Sequence, residues 1–117
     1  MTDDPECLFC RIAAGDIPST TVHTDDTVVA FHDIAPRAPT HILVIPRTHI
    51  RSVAELTDAD APVVGHLFAV AAEIARQQGI AEAGYRVVTN VGRGGGQTVD
   101  HLHLHVMGGR SMTWPPG

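Results

Sequence analysis

The chain has 117 residues, 44% of them hydrophobic and 18% charged, which suits one packed domain spanning 1–117 and is too short for two. A net charge of −5 argues against a nucleic-acid polymer or an anionic membrane as partner, because both demand a basic footprint. A single nucleotide escapes that exclusion, since a few aimed donors hold one phosphate on an otherwise acidic surface.

The first ten residues, MTDDPECLFC, lack the basic start and apolar run of a secretion signal. No later run approaches the ~20 apolar residues of a membrane span, so the expected compartment is the cytoplasm. Asp4 and Pro5 open a short helix that should run to about Ala14 and stop at Gly15, with Leu8, Phe9 and Ile12 on one face. Thr20–His23 and Thr27–Asp33 read as strands around the turn signal Asp25-Asp26. Pro36 and Pro39 keep the next segment a loop, and the apolar run His41–Pro46 reads as a buried strand. The longest helix follows Thr57, a good N-cap, with Asp58 and Asp60 in its first turn. Val63, Val64, Leu67, Phe68, Ala71, Ile74 and Ala75 give it an apolar stripe, and Gly79 ends it. Tyr85–Val91 is a further strand, then the glycine-rich GRGGGQT, then a last strand over about His101–Met107. Short loops between neighbouring strands predict a mostly antiparallel sheet with two helices packed on it, an α+β fold.

The chemistry concentrates in histidine, of which there are eight. In His101-Leu102-His103-Leu104-His105-Val106 an extended chain turns the leucines and valine one way and three imidazoles the other. Three imidazoles so spaced can address one small polyanion. A solvent-facing polar strand face is the plainer reading, though such faces normally use Thr, Lys or Glu. A three-histidine metal site is the main rival. The only cysteines, Cys7 and Cys10, exclude a disulfide framework. In a reducing compartment such a pair reads first as metal-binding or redox-active.

HLHLHVMGG resembles the pattern for which the histidine triad family is named. AFHDIAPRAPTHILVIPRTHI, GYRVVTNVG, GGQTVDHLHLHVMGGR and the terminal WPPG are similar to its Hint branch, so the likeness covers most of the chain. Two small departures are Thr98, where the family often has Ser, and the Cys-x-x-Cys that many members lack. The resemblance implies a five-stranded sheet with two helices, two sheets joined across a homodimer, and purine nucleoside phosphoramidase activity through a covalent nucleotidyl-histidine. His103 would be the nucleophile and His105 a donor to phosphate oxygens, with His101 and His41 completing the cluster. Asn90, Gly96, Gln97 and Thr98 match positions that hydrogen-bond the phosphate and leaving group. Asp33 matches the carboxylate that takes the ribose hydroxyls. Leu8, Phe9, Ile12, Ile17, Phe31, His32 and Ile34 match the base pocket, although their residue types alone also suit an ordinary core. Trp114, near a tail that would otherwise be a frayed end, matches a contact to the partner subunit's active site.

Cys7 and Cys10 lie at i and i+3, so both thiols can face one side of a helix. Zinc takes four ligands, and histidines can supply the other two. The resemblance implies Cys7, Cys10, His49 and His101 as a structural zinc site, leaving the chemical step metal-free. A reduced thiol pair without metal, or a redox disulfide, stays open. His23, His32 and His66 have no special spacing. Rival functions are a dinucleoside polyphosphate hydrolase, a nucleotide-binding scaffold, and a hydrolase using the three histidines as zinc ligands.

Overall fold

In the computed structural model, which describes residues 4–117, five antiparallel strands form one sheet in the order β1-β2-β3-β5-β4. They are β1 (Thr21–Thr24), β2 (Val28–His32), β3 (Thr40–Pro46), β4 (Tyr85–Val88) and β5 (Leu104–Gly108). Strands β2 and β3 are buried along almost their whole length because both sheet faces are covered. Val28, Ala30, Ile42, Val44, Leu104 and Val106 meet α2 (Ala61–Gln77) through Leu67, Val70, Ala71, Ile74 and Ala75. On the other face Val29, Phe31, Leu43 and Ile45 meet Cys7, Phe9 and Cys10 at α1 (Leu8–Ala13). The α+β architecture expected from the sequence is the one observed, and among the described residues no helix is long and apolar enough to cross a membrane.

Several boundaries move, each for a local reason. Helix α1 starts at Leu8, because Asp4 closes a separate turn by accepting the Cys7 N–H through its carbonyl at 2.9 Å. Cys7 becomes the N-cap, its Sγ accepting from the Cys10 N–H at 3.4 Å. A 3-10 turn over Asp58–Asp60 leads into α2, and the Asp60 carboxylate accepts from the Thr57 N–H at 2.9 Å. Val70 belongs to the buried stripe of α2, whereas Phe68 stands 49% exposed. The last two expected strands are shorter, β4 ending at Val88 and β5 beginning at Leu104. The cause is that Leu102 donates its N–H to Ile50 O at 2.6 Å and His101 to Val99 O at 2.9 Å, outside the ladder. Side-chain alternation survives this: Leu102 still joins the α2 core while His101 sits on the α1 side. After β5 the chain turns at Gly109, with φ of +90° and a backbone so close to Pro39 that an added Cβ would sit 2.9 Å from the Pro39 Cβ.

Candidate active site

His103 and His105 project from the α1 face of the sheet into a cleft of about 330 Å³, the lower part of the range for small-ligand pockets. Leu8, Phe9, Ile12 and Ile17 line it from the first helix and the chain after it. Phe31, His32, Asp33 and Ile34 line it from the end of β2, and Thr98 from the loop before the histidines. Sequence reasoning missed Pro18, Ser19, Thr20, Leu43 and Val99. Of these, Leu43 had a signal visible only once strands are paired: it lies opposite Phe31 on β2 and His105 on β5. Phe9 packs edge-on against Phe31 at 5.5 Å and His103 at 5.1 Å between ring centroids.

The fixed partners of each ring settle which nitrogen carries its proton. His103 Nδ1 faces the His101 carbonyl at 2.7 Å. A carbonyl only accepts, so Nδ1 is protonated and the lone pair is on Nε2. The Arg37 backbone N–H donates to His41 Nδ1 at 2.9 Å, so neutral His41 carries its proton on Nε2. That atom lies 2.9 Å from His105 Nδ1 and 3.4 Å from an Asp33 carboxylate oxygen. His105 Nδ1 therefore accepts, and its proton sits on Nε2. The chain Asp33, His41, His105 ends beside His103, whose ring centroid is 4.9 Å from that of His105.

Burial lowers the proton affinity of all four rings. His105 falls to about 4, driven by burial, His103 and His41 against the pull of Asp33. For His103 burial outweighs the His101 carbonyl and the Asp33 charge, which act the other way. For His41 burial outweighs Asp33, with Arg37 adding to the lowering. At neutral pH the cluster is thus a set of uncharged imidazoles with defined donors and acceptors.

His101 looks elsewhere. Its Nε2 donates to Pro46 O at 2.8 Å, which leaves Nδ1 with a lone pair 3.3 Å from Cys7 Sγ and 3.5 Å from Cys10 Sγ. His49 Nδ1 lies 3.3 Å from Cys10 Sγ. Donor atoms of Cys7, Cys10, His49 and His101 all lie within 4.8 Å of one another, and two sulfurs with two imidazole nitrogens suit tetrahedral zinc. Burial, then His49 and His103, hold His101 down to about 4 against the Pro46 carbonyl, which keeps the ligand nitrogen free of a proton. No cluster of metal donors among the described residues gathers His101, His103 and His105 together, so the three-histidine metal reading has no geometry behind it.

The remaining sequence candidates lie outside the cleft lining. Both Gln97 Nε2 protons are used, on Arg51 O at 2.7 Å and Val99 O at 2.9 Å, and its Oε1 takes the Gly92 N–H. Asn90 Nδ2 donates to Gly95 O at 2.6 Å, while Gly96 ends the short 3-10 turn. These residues build the loop that carries Thr98. Trp114 is 85% exposed. His23 and His66, read from sequence as unremarkable, each put Nε2 2.7 Å from the same Asp25 oxygen.

Fold and site together define a class of protein: residues 14–112 match the HIT domain, and the chain belongs to the HIT family. Within that family it is 48% identical over 107 residues to the purine nucleoside phosphoramidase of Escherichia coli (strain K12), covering 92% of this chain and 90% of that protein. It is 46% identical over 117 residues to the 14 kDa zinc-binding protein of Zea mays, covering 98% and 91%. Its structure superposes on that of a HIT family hydrolase from Legionella pneumophila Philadelphia 1 with a TM-score of 0.95 at 50% identity, covering 96% and 100% of the two chains.

Proposed function

We propose that this HIT-family hydrolase cleaves adenosine and other purine 5′-phosphoramidates, and aminoacyl-adenylates, through a nucleotidyl-histidine on His103. The observation that carries the reading is the His103 tautomer: Nδ1–H is held by the His101 carbonyl, so the Nε2 lone pair belongs to a residue lining a nucleotide-sized cleft. The apolar walls Phe9, Ile12, Ile17 and Phe31 suit a purine, and Asp33 at the cleft can accept from ribose hydroxyls.

In the first step His103 Nε2 bonds to the α-phosphorus and the bond to the leaving group breaks, P–N in a phosphoramidate and P–O in an aminoacyl-adenylate. The ring becomes a cation, stabilised by the carbonyl on Nδ1, and is a labile leaving group. The departing nitrogen of a phosphoramidate needs a proton, whereas the carboxylate of an aminoacyl-adenylate leaves without one. A bound phosphate favours an extra proton on the His105–His41 pair, with Asp33 offsetting the charge, and His105 Nε2 passes it on. Water then attacks phosphorus, returns a proton to His105, and nucleoside monophosphate leaves. Zinc on Cys7, Cys10, His49 and His101 would tie α1 to the extended segment that carries His103, supplying structure to the site and nothing to the bond cleavage. That donor set, together with the likeness to a zinc-binding relative, supports the assignment.

The chain is further proposed to work as a homodimer. Among the described residues β4 pairs only with β5, leaving its outer edge for a second copy, and Trp114 stands exposed outside its own cleft.

AMP release from adenosine 5′-phosphoramidate tests the chemistry, using wild-type protein and His103→Ala with and without a chelator. Expected is hydrolysis that a chelator slows but does not abolish, and that falls by at least about three orders of magnitude in the variant, with AMP still bound. No AMP above background from the wild type would overturn the reading. A strong preference for dinucleoside polyphosphates would move it to another branch of the family.

A further inference from the structure

Two cavities share a wall in this protein. Leu8, Thr98 and Val99 line both the nucleotide cleft and a neighbouring cavity of about 480 Å³, and the second one reaches Cys7 and His49. The thiol cluster, though buried, is therefore accessible to a small solute from a side the cleft does not use. Three structural links then join the cluster to the cleft. Phe9, between the two cysteines in sequence, packs on His101 at 6.0 Å and on His103 at 5.1 Å between ring centroids. Cys7 Sγ is the N-cap acceptor of α1, a helix of six residues, too short to hold its shape without tertiary ties. His101 belongs to both centres: its Nδ1 faces the two sulfurs while its carbonyl takes the His103 Nδ1–H at 2.7 Å.

We propose that Cys7 and Cys10 form a modification site for small peroxides, whose oxidation releases the metal and lowers the affinity of the cleft for nucleotide. The proposal rests on the zinc and nucleotide readings given above. In the chemistry, one thiolate attacks a peroxide oxygen, the O–O bond breaks, and a sulfenic acid forms as hydroxide departs. The second thiolate attacks the sulfenic sulfur, the S–S bond forms, and a second hydroxide departs. The two sulfurs give up two electrons and the peroxide takes them. The Sγ atoms, already within 4.8 Å, need only close to bonding distance, about 2.05 Å. Doing so removes two of the four metal ligands and draws Cys7 Sγ from the Cys10 N–H. Helix α1 then loses its cap and its clamp, and Leu8 and Phe9 lose their fixed place in the cleft wall. His101, released from the metal, holds its carbonyl less firmly against His103. A dithiol reductant with added zinc reverses the change.

The test uses zinc-loaded wild-type protein treated with hydrogen peroxide, then with dithiol and zinc. Thiols, released zinc and AMP affinity by calorimetry are followed together, with circular dichroism as the check on fold. Expected is loss of two thiols with release of one zinc per chain, an AMP affinity about tenfold weaker, and recovery on reduction. A second arm strips zinc from the reduced protein with a chelator and reads the His103 ring nitrogens by NMR, where the Nδ1–H tautomer should lose population. The variant Cys10→Ser, with a single thiol, should form no intramolecular disulfide under peroxide, and a wild-type affinity change that dithiol reverses should therefore be absent from it. AMP bound equally before and after zinc release, with the His103 tautomer unchanged, overturns the coupling while the nucleotide reading stands. Retention of both thiols and zinc under peroxide overturns the redox site. Failure of the zinc-loaded protein to bind AMP at all fails the nucleotide reading itself and the proposal with it.

Discussion

Three imidazoles in this protein have their protons placed by backbone groups that cannot change role, and a fourth, His105, is placed in turn by His41. Carbonyls of His101 and Pro46 take the protons of His103 and His101, and the Arg37 N–H makes His41 an acceptor at Nδ1. A nucleophilic ring must be neutral, and burial of His103 holds its proton affinity below the ordinary value of 6.5. Protonation of Nε2 removes the attacking lone pair, so kcat/KM for a phosphoramidate should not fall until pH drops beneath about 6.5. A pH–rate profile that already declines above that value would contradict a depressed His103. Asp33→Asn keeps the shape but removes the charge facing His41. It should lower kcat by about tenfold to a hundredfold while the His103 tautomer, read by NMR, stays unchanged.

At the scale of elements, Arg47 at the end of β3 holds pieces that the sheet alone does not. Its guanidinium donates to Asp25 O at 2.8 Å, Ala13 O at 2.7 Å and Thr24 Oγ1 at 2.6 Å, joining the end of α1 to the β1–β2 turn. The planar fork reaches all three at once and a Lys ammonium would not. Arg47→Lys should therefore cost about 1–3 kcal/mol, measured by urea unfolding, and a change within a few tenths of a kcal/mol would show the clasp to be idle. The turn it grips is also held by Asp25, whose Oδ1 caps the Thr27 and Val28 N–H groups at 2.8 and 2.9 Å. Gly109→Ala should destabilise by a similar amount, because it combines a positive φ with a contact to Pro39; hydrogen exchange at Thr40, which pairs with Gly108 at this end of the β3–β5 ladder, would report it.

At the scale of the whole molecule, acid and metal act on the same cluster. His101 and His105 fall to about 4 in the fold from 6.5, so the unfolded chain binds more protons between those values. The metal-free protein should lose stability steadily as pH falls from about 6.5 to about 4. Below that, Asp25 adds to the loss: burial opposes its ionisation, but His23, the Thr27 N–H, His66 and the Val28 N–H hold it well below the usual carboxylate range. Thermal melts across this interval should show Tm falling with pH, and a flat profile would contradict the buried neutral rings. If Cys7, Cys10, His49 and His101 hold zinc as proposed, removing it at neutral pH should also lower Tm, with at least about 3 kcal/mol lost when zinc is in large excess over its Kd, and re-addition should restore it.

Much of this protein follows from local pattern. The alternation of His and Leu at 101–106 placed the imidazoles on one side and the leucines on the other, and that held even where the ladder did not, because alternation needs only an extended chain. Continuous apolar runs at Val28–Phe31 and Ile42–Ile45 marked strands covered on both faces. Resemblance along the chain carried the rest of the family assignment. What spacing could not decide was how residues far apart in sequence are used. Asp25 gathers His23 and His66, the latter from a helix packed across the sheet. Gln97 divides its amide protons between the distant Arg51 carbonyl and that of Val99, Asn90 donates to Gly95 O within its own loop, and His101 turns from its neighbours to the cysteines. A side chain's partner is set by which backbone groups and elements are left near it once the core has packed, and that is decided in three dimensions.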